Sequence, residues 1–274
     1  MSFSNGLRVI DPSAIIGQNV HIGPFTVIEA DVVIGDNCWI GNNVTILNGA
    51  RIGDNCKIFP GAVISAIPQD LKYHGEDTTM EIGNNVVIRE CCTLNRGTTA
   101  AGRTAVGDNC LLMAYVHVAH DCIVANNCIL ANNVTLAGHI EIAPYARLGG
   151  MAAVHQFVHI GRQVMIGGGS LVRKDVPPYV MAAREPLSYA GINRVGLRRA
   201  GFSRPDIHHI EDIYRILFVR GLSTRKAVEL IHQEVADSPF RQEILDFVRK
   251  AERGLMKGFR SHTGSGKVAE AVLD

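Results

Sequence analysis

Isoleucine recurs every six residues at Ile10, Ile16, Ile22, Ile28, Ile34, Ile40, Ile46, Ile52, Ile58 and Ile64. Ile82, Ile88 and Leu94 keep the phase, and twelve aliphatic residues carry it unbroken from Val106 to Val172, making 25 positions in all. A helix repeats its faces about every 3.6 residues and a strand about every 2, so neither produces this beat. A parallel β-helix does. Each six-residue step ends where an aliphatic side chain turns to the axis, and stacked coils bury one another's cores.

The rest of the hexad is often Gly, then two mostly polar residues, a small residue and a variable one. The small inward site, four after the aliphatic one, holds Val20, Thr26, Val32, Cys38, Val44, Ala50, Cys56 and Ala62. Gly17, Gly23, Gly35, Gly41, Gly53, Gly83 and Gly107 follow the aliphatic residue, where glycine is expected to supply the unusual backbone angles of a tight corner. Three hexads close a triangular coil of 18 residues, with coils about 4.8 Å apart. Hexapeptide repeats of this kind resemble those of the left-handed parallel β-helix. The general rule for parallel crossovers favours the right hand, so the hand comes from the resemblance alone.

At 274 residues the chain is long enough for one large unit and a small one. A net charge of +1 gives no field pointing to nucleic acid. No apolar run approaches the length of a membrane span and no signal peptide is seen at Met1, so a cytoplasmic protein without an integral membrane segment is expected. Of seven cysteines, Cys38, Cys56, Cys92, Cys110, Cys122 and Cys128 fall on the small inward site and Cys91 does not. None forms a CxxC pair, and they read as small buried hydrophobes in a reducing compartment.

Two segments interrupt the beat, Ser65 to Glu81 and the stretch NRGTTAAGRTA after Leu94. Both resume in phase, which marks them as loops extruded from a corner, and loops on a rigid scaffold are common seats of function. The repeat stops at Asp175-Val-Pro-Pro-Tyr179, where prolines end ladder pairing, and helical periodicity is expected from about Leu187. Ser203 reads as an N-cap with proline in the first turn. Further helices are expected near Ser223 and from Phe240 to Leu255. The expected division is a β-helix over 1–186, a helical domain over 187–260 and a disordered tail over 261–274.

His117, His120, His139, His155 and His159 cluster late in the repeat. The coil period stacks His120, Gly138 and Gln156 in one column, and sets His139 one coil above Asp121. A histidine base beside a backbone N–H that no side chain covers suits acyl transfer: the base activates a hydroxyl and the N–H holds the oxyanion. Asp121 orients or charge-balances an imidazole, and the pattern does not say which one. The rival chemistry is a zinc site, because neighbouring coils can present several histidines to one metal.

The segments Ala119-His120-Asp121-Cys122, Ile129-Leu-Ala-Asn-Asn133, Leu136-Ala-Gly-His139, Gly149-Gly-Met151 and His155-Gln-Phe157 together resemble the UDP-N-acetylglucosamine O-acyltransferases. So do Gln69-Asp-Leu-Lys-Tyr73, Asp175-Val-Pro-Pro-Tyr179 and Arg198-Arg-Ala-Gly-Phe202, so that the likeness covers nearly the whole chain. The resemblance implies a homotrimer with clefts between subunits. It implies transfer of an (R)-3-hydroxyacyl chain from acyl carrier protein to the 3-hydroxyl of UDP-N-acetylglucosamine, the first step of lipid A synthesis, with no metal or bound cofactor. By motif, His120 is the general base, Asp121 its partner and Gly138 the oxyanion donor. His117, His139, His155 and Gln156 line the cleft, and Asp70 and Lys72 contact substrate. Asn193 and Arg199 hold the nucleotide end, and Gly168 matches the position that limits acyl length.

Three departures stand out. Asn95 occupies a place where many members have histidine, and an amide hydrogen-bonds a sugar without titrating. Val195 and Ala200 replace polar or charged residues near the nucleotide, and Pro68 alters the entry to the first loop. They leave open whether the acceptor carries a 3-hydroxyl or a 3-amine. Arg162, Arg173, Lys174, Arg198, Arg199, Arg215 and Arg220 offer a basic dock for an acidic carrier protein. The rivals are the related N-acyltransferase, an acetyl-CoA-dependent hexapeptide acetyltransferase, a β-helix zinc lyase and a purely structural β-helix. The N-acyltransferase type carries an extra N-terminal domain, whereas the repeat here starts by Ile10. The long helical segment and the Gln69–Tyr73 motif weigh against the acetyltransferase, and the histidine cluster and charged loops against a purely structural role.

Overall fold

A computed structural model describes residues 7–258, so Met1 and the expected tail over 261–274 lie outside the described residues. The hexad becomes a strand of two residues and a turn, repeated. Val27–Ile28, His117–Val118 and Thr135–Leu136 are typical, with the second residue buried on the axis and the first facing out. Strands one coil apart pair in parallel and in register, His117 with Thr135 and Val118 with Leu136, at the 18-residue spacing of the coil. Three such ladders, of nine, eight and ten strands, form the faces of a triangular prism. The fold is a left-handed parallel β-helix followed by a small helical region.

The core is a stack of single side chains. Ile28, Ile34, Ile40, Ile46, Ile58 and Ile64 are each at most 1% exposed, and the six inward cysteines are buried while Cys91 is exposed. At roughly 2 kcal/mol per buried aliphatic side chain, this column gives the prism its rigidity and leaves the corners free to vary.

The glycine expectation is corrected. Gly17, Gly35, Gly53 and Gly83 do not carry positive φ; the residues two further on do, Asn19, Asn37, Asn55 and Asn85, at +56° to +58°. Asparagine tolerates this left-handed conformation better than most residues. The glycines are required for space instead. A Cβ on Gly35 would sit 2.3 Å from an Asp54 oxygen and 2.8 Å from the Gly53 carbonyl carbon of the next coil.

After the last regular coil the chain makes a hairpin, Val180–Ala183 against Ser188–Ile192, which adds to the third sheet. The division expected after residue 186 falls inside this hairpin, and the helices begin at Arg194 rather than near Leu187. They are α1 (Arg194–Arg199), α2 (Arg204–Tyr214), α3 (Thr224–Glu234) and α4 (Pro239–Lys250), with a π-helical turn, Arg215–Val219, extending α2. Ser203 caps α2 with a reciprocal bond from Asp206, and Ser223 caps α3. Hydrogen bonds tie the C-terminal region to the prism. The Tyr214 hydroxyl donates to the Pro178 carbonyl at 2.6 Å, the Tyr179 hydroxyl donates to the Glu243 carboxylate, and Asp175 accepts from the His159 and Arg253 amides.

Candidate active site

The corner between the first and second sheets carries the unusual residues. Both loops leave the prism there. The first runs from the strand Val63–Ala66 to the strand Thr79–Ile82, the second from Thr93–Asn95 to Arg103–Val106. The next coil, between His117–Val118 and Ile123–Val124, places His120 and Asp121 at the same corner.

His120 Nδ1 lies 2.8 Å from Asp121 Oδ2, and the carboxylate has no exposed surface while the imidazole retains 14%. Burial works to raise the Asp121 pKa. Hydrogen bonds from the Thr98 side chain, His120 and the Thr98 amide outweigh it and hold the carboxyl below its ordinary value. An ionised partner assigns the imidazole proton to Nδ1 and leaves Nε2 as a bare acceptor.

The expected column exists. An added Cβ on Gly138 would meet the His120 ring first, 2.6 Å from Cε1 and 2.8 Å from Nε2. Gly138 is buried beneath the ring rather than openly accessible. Gln156, one coil further, is exposed at the same corner. His139 stacks on Phe157 at 4.5 Å, meets His120 edge-on at 5.1 Å, and brings Nε2 to 3.7 Å from Asp121.

His117 faces outward on the first sheet with Nδ1 2.8 Å from the Thr93 hydroxyl, and burial lowers its pKa. His155 contacts the Gln156 carbonyl and the Arg253 guanidinium, each at 3.2 Å. Asp70 and Lys72 sit near the tip of the first loop, where the Asp70 carboxylate accepts the Lys72 amide at 3.0 Å and Leu71 between them is fully exposed. Asn95 is buried, and its amide donates to Ile67 O at 2.9 Å and more weakly to Ala66 O at 3.4 Å. It therefore pins the base of the first loop, and only its Oδ1, buried and unpartnered, is left for any other contact.

Sequence reasoning missed Thr93, Phe157, Arg253 and above all Thr98. Thr98 donates to Asp121 twice, from its amide to Oδ1 at 2.8 Å and from its hydroxyl to Oδ2 at 2.7 Å. The Ala101 amide adds a third bond at 3.3 Å. His120, Asp121 and His139 place donor atoms within 4.8 Å of one another, a spacing that could serve a metal. Both Asp121 oxygens, however, are already committed to protein donors.

Asn193, Arg199 and Gly168 do not join this corner. Gly168 follows the strand Met165–Ile166 of the third sheet and precedes Leu171–Val172 of the first, which places it at another edge. A Cβ on Gly149 would lie 2.5 Å from the Gly168 amide, so the two glycines are stacked. Gly149 lines a cleft of about 800 Å³ together with Arg147, Asn193, Val195, Arg198 and Arg199. Asn193 caps α1 by accepting from the Gly196 amide, and donates to the Gln163 carbonyl.

Residues 175–256 match the family model for the second domain of UDP-N-acetylglucosamine O-acyltransferase, and residues 31–66 and 103–138 match the bacterial transferase hexapeptide model. The acyl-[acyl-carrier-protein]–UDP-N-acetylglucosamine O-acyltransferase of Thiobacillus denitrificans is 46% identical over 250 residues, which span 91% of this chain and 97% of the relative. The chain belongs to the UDP-N-acetylglucosamine O-acyltransferase family. The relative of the same name from Aliarcobacter butzleri is 45% identical over 90% of this chain and 95% of its own. The UDP-N-acetylglucosamine acyltransferase of Bacteroides fragilis has a crystal structure that matches with a TM-score of 0.91 at 50% identity, covering 93% of this chain and 100% of that one. The Acinetobacter baumannii structure gives 0.88 at 42%, over 92% and 99%. As a member of this O-acyltransferase family the protein is an acyltransferase. The His120–Gly138 column falls within the second hexapeptide match, and the Asn193–Arg199 cleft draws on the second-domain match.

Proposed function

We propose that the protein transfers an (R)-3-hydroxyacyl chain from acyl carrier protein to the 3-hydroxyl of UDP-N-acetylglucosamine, the opening step of lipid A synthesis, in the cytoplasm. Family membership supports the donor and acceptor classes. The observation that supports the mechanism is the stacking of the His120 ring on Gly138, with Asp121 at the far ring nitrogen. His120 Nε2 takes the proton of the sugar hydroxyl as the oxygen attacks the thioester carbonyl. The carbonyl oxygen becomes the oxyanion of a tetrahedral intermediate beside the Gly138 N–H. The intermediate collapses, the C–S bond breaks, and the imidazolium returns its proton to the leaving thiol. Asp121 steadies the imidazolium in between. No metal or cofactor has a role in these steps.

His117, His139, His155 and Gln156 are proposed to line the acyl and sugar path, with Asp70 and Lys72 of the first loop on substrate. Asn95 acts in this reading through its one free acceptor and through the loop it anchors. Asn193, Arg199 and Gly168 belong to the nucleotide and acyl ends. Their place on a different edge supports a homotrimer, in which one copy's cleft faces the His120 corner of another. For the carrier protein, Arg173, Arg215 and Arg220 are engaged by Glu185, Asp212 and Glu234. Lys174 continues the His120 column by the coil period and is the more direct candidate. The test is product formation by purified protein from UDP-N-acetylglucosamine and 3-hydroxyacyl carrier proteins of graded length, with acetyl-CoA in parallel. Acylated nucleotide sugar with one preferred chain length supports the reading. Transfer from acetyl-CoA alone would replace it.

A further inference from the structure

The second inserted loop has a job that no motif announces. Its backbone is held at both ends: the Thr78 hydroxyl donates to the Gly97 carbonyl at 2.6 Å, and the Gly102 amide to the Thr98 carbonyl at 2.7 Å. Gly97 has no room for a side chain, since a Cβ would lie 2.4 Å from the Arg103 amide nitrogen. The turn folds back on the prism and aims the Thr98 hydroxyl, the Thr98 amide and the Ala101 amide at one carboxylate. Asp121 itself sits in the left-handed region at φ +60°, and its amide donates to the Thr104 hydroxyl at 2.8 Å. Four donors, counting His120, therefore occupy two oxygens. A buried carboxylate without such donors would draw a proton or swing toward water.

We propose that Thr98 is a positioning residue for catalysis, which sets the charge and orientation of Asp121 and through it the basicity of His120. The proposal rests on His120 acting as the general base. Among the described residues, the titratable groups at Asp121 are His120 at 2.8 Å, His139 at 3.7 Å and the adjacent Cys122 thiol, which burial pushes up and keeps neutral. The loop bonds the carboxylate only through hydroxyl and amide groups. Losing the Thr98 hydroxyl leaves negative charge on Oδ2 less dispersed. The carboxylate then binds a proton more readily, and the adjacent imidazolium is held more tightly. Both effects remove active base at low pH, so both move the acid limb of the rate profile upward.

The test is kcat and KM against pH for the wild type, Thr98→Val and Thr98→Ser, with melting temperatures. Thr98→Val is expected to lower kcat roughly tenfold, the equivalent of one charge-assisted hydrogen bond. KM should change little, and the acid limb should move up by about half a pH unit. Thr98→Ser should restore both. Thr98→Ala removes the hydroxyl without a branched side chain and carries the same expectation should Thr98→Val not fold. An unchanged rate and limb, or a rate loss that follows melting temperature with the limb in place, overturns the proposal. His120→Ala is run beside these variants: near-normal turnover in that folded variant defeats the general-base reading instead, whereas its loss together with an unchanged Thr98→Val profile defeats only the Thr98 proposal.

Discussion

Two edges of the prism use the same backbone and do different work. At the edge between the second and third sheets, an Asp or Asn side chain of one coil accepts the amide of the coil before it. Asp36 bonds to Gln18, Asp54 to Asp36, Asn84 to Asp54, Asp108 to Asn84 and Asn126 to Asp108, at 2.6 to 2.9 Å. The left-handed position beside each rung is Asn37, Asn55, Asn85, Asn109 or Asn127. At the edge between the first and second sheets, the same left-handed position holds Asp121, His139 and Phe157, and the ladder is replaced by His120, Gly138 and Gln156. One edge spends its polar groups on holding coils together. The other commits Asp121 to His120 and to donors of the second inserted loop, and leaves His120 partly exposed. The scaffold supplies identical corner geometry, and residue choice at the corner decides between staple and site.

The sharpest way to break that contrast is a pair of glycine variants. Gly138→Ala is expected to cut turnover about a hundredfold, because the new methyl displaces the base beside the oxyanion N–H, with little loss of stability, since the atoms it meets first belong to a side chain. Gly83→Ala should do the reverse. Its methyl would meet the Asp108 amide nitrogen at 2.8 Å and the Gly107 carbonyl carbon at 3.0 Å, costing about 1–3 kcal/mol in denaturant unfolding while leaving turnover in the folded fraction intact. A smaller effect separates the carboxylates. Asp108→Ala removes one rung and should cost about 1 kcal/mol without touching kcat. The smallest effect is on acid stability. Because the Asp121 carboxyl is held below its unfolded value, it stabilises the fold above about pH 3.9 and that contribution is lost as pH falls through the folded value. Asp121→Asn should therefore flatten the acid side of the stability profile, read by denaturant midpoints across pH.

Much of this is legible in the sequence. The beat gave the coil, and counting in eighteens put Gly138 over His120 and Asp121 below His139. Both interruptions read as corner loops. What the loops do was not legible, because Thr98 reaches Asp121 across 23 residues and Arg253 reaches His155 across 98, and no period connects them. For Asn95 the sequence implies a sugar contact but not that its amide nitrogen pins the first loop's base, which leaves only Oδ1 for such a contact. At the corner glycines the sequence suggests a demand on backbone angle, whereas the constraint is the next coil's proximity, a packing fact that one coil's sequence does not contain. The six-residue helix α1 and the hairpin before it are too short for periodicity to reveal.

The measurement that bears most directly on the central claim is turnover of His120→Ala with saturating 3-hydroxyacyl carrier protein and UDP-N-acetylglucosamine, beside its melting temperature. The account predicts a loss of at least about a hundredfold at an unchanged melting temperature, since His120 is partly exposed and packs on a corner rather than in the axial core. Near-normal turnover in a folded variant would contradict it, and would move the chemistry away from this edge.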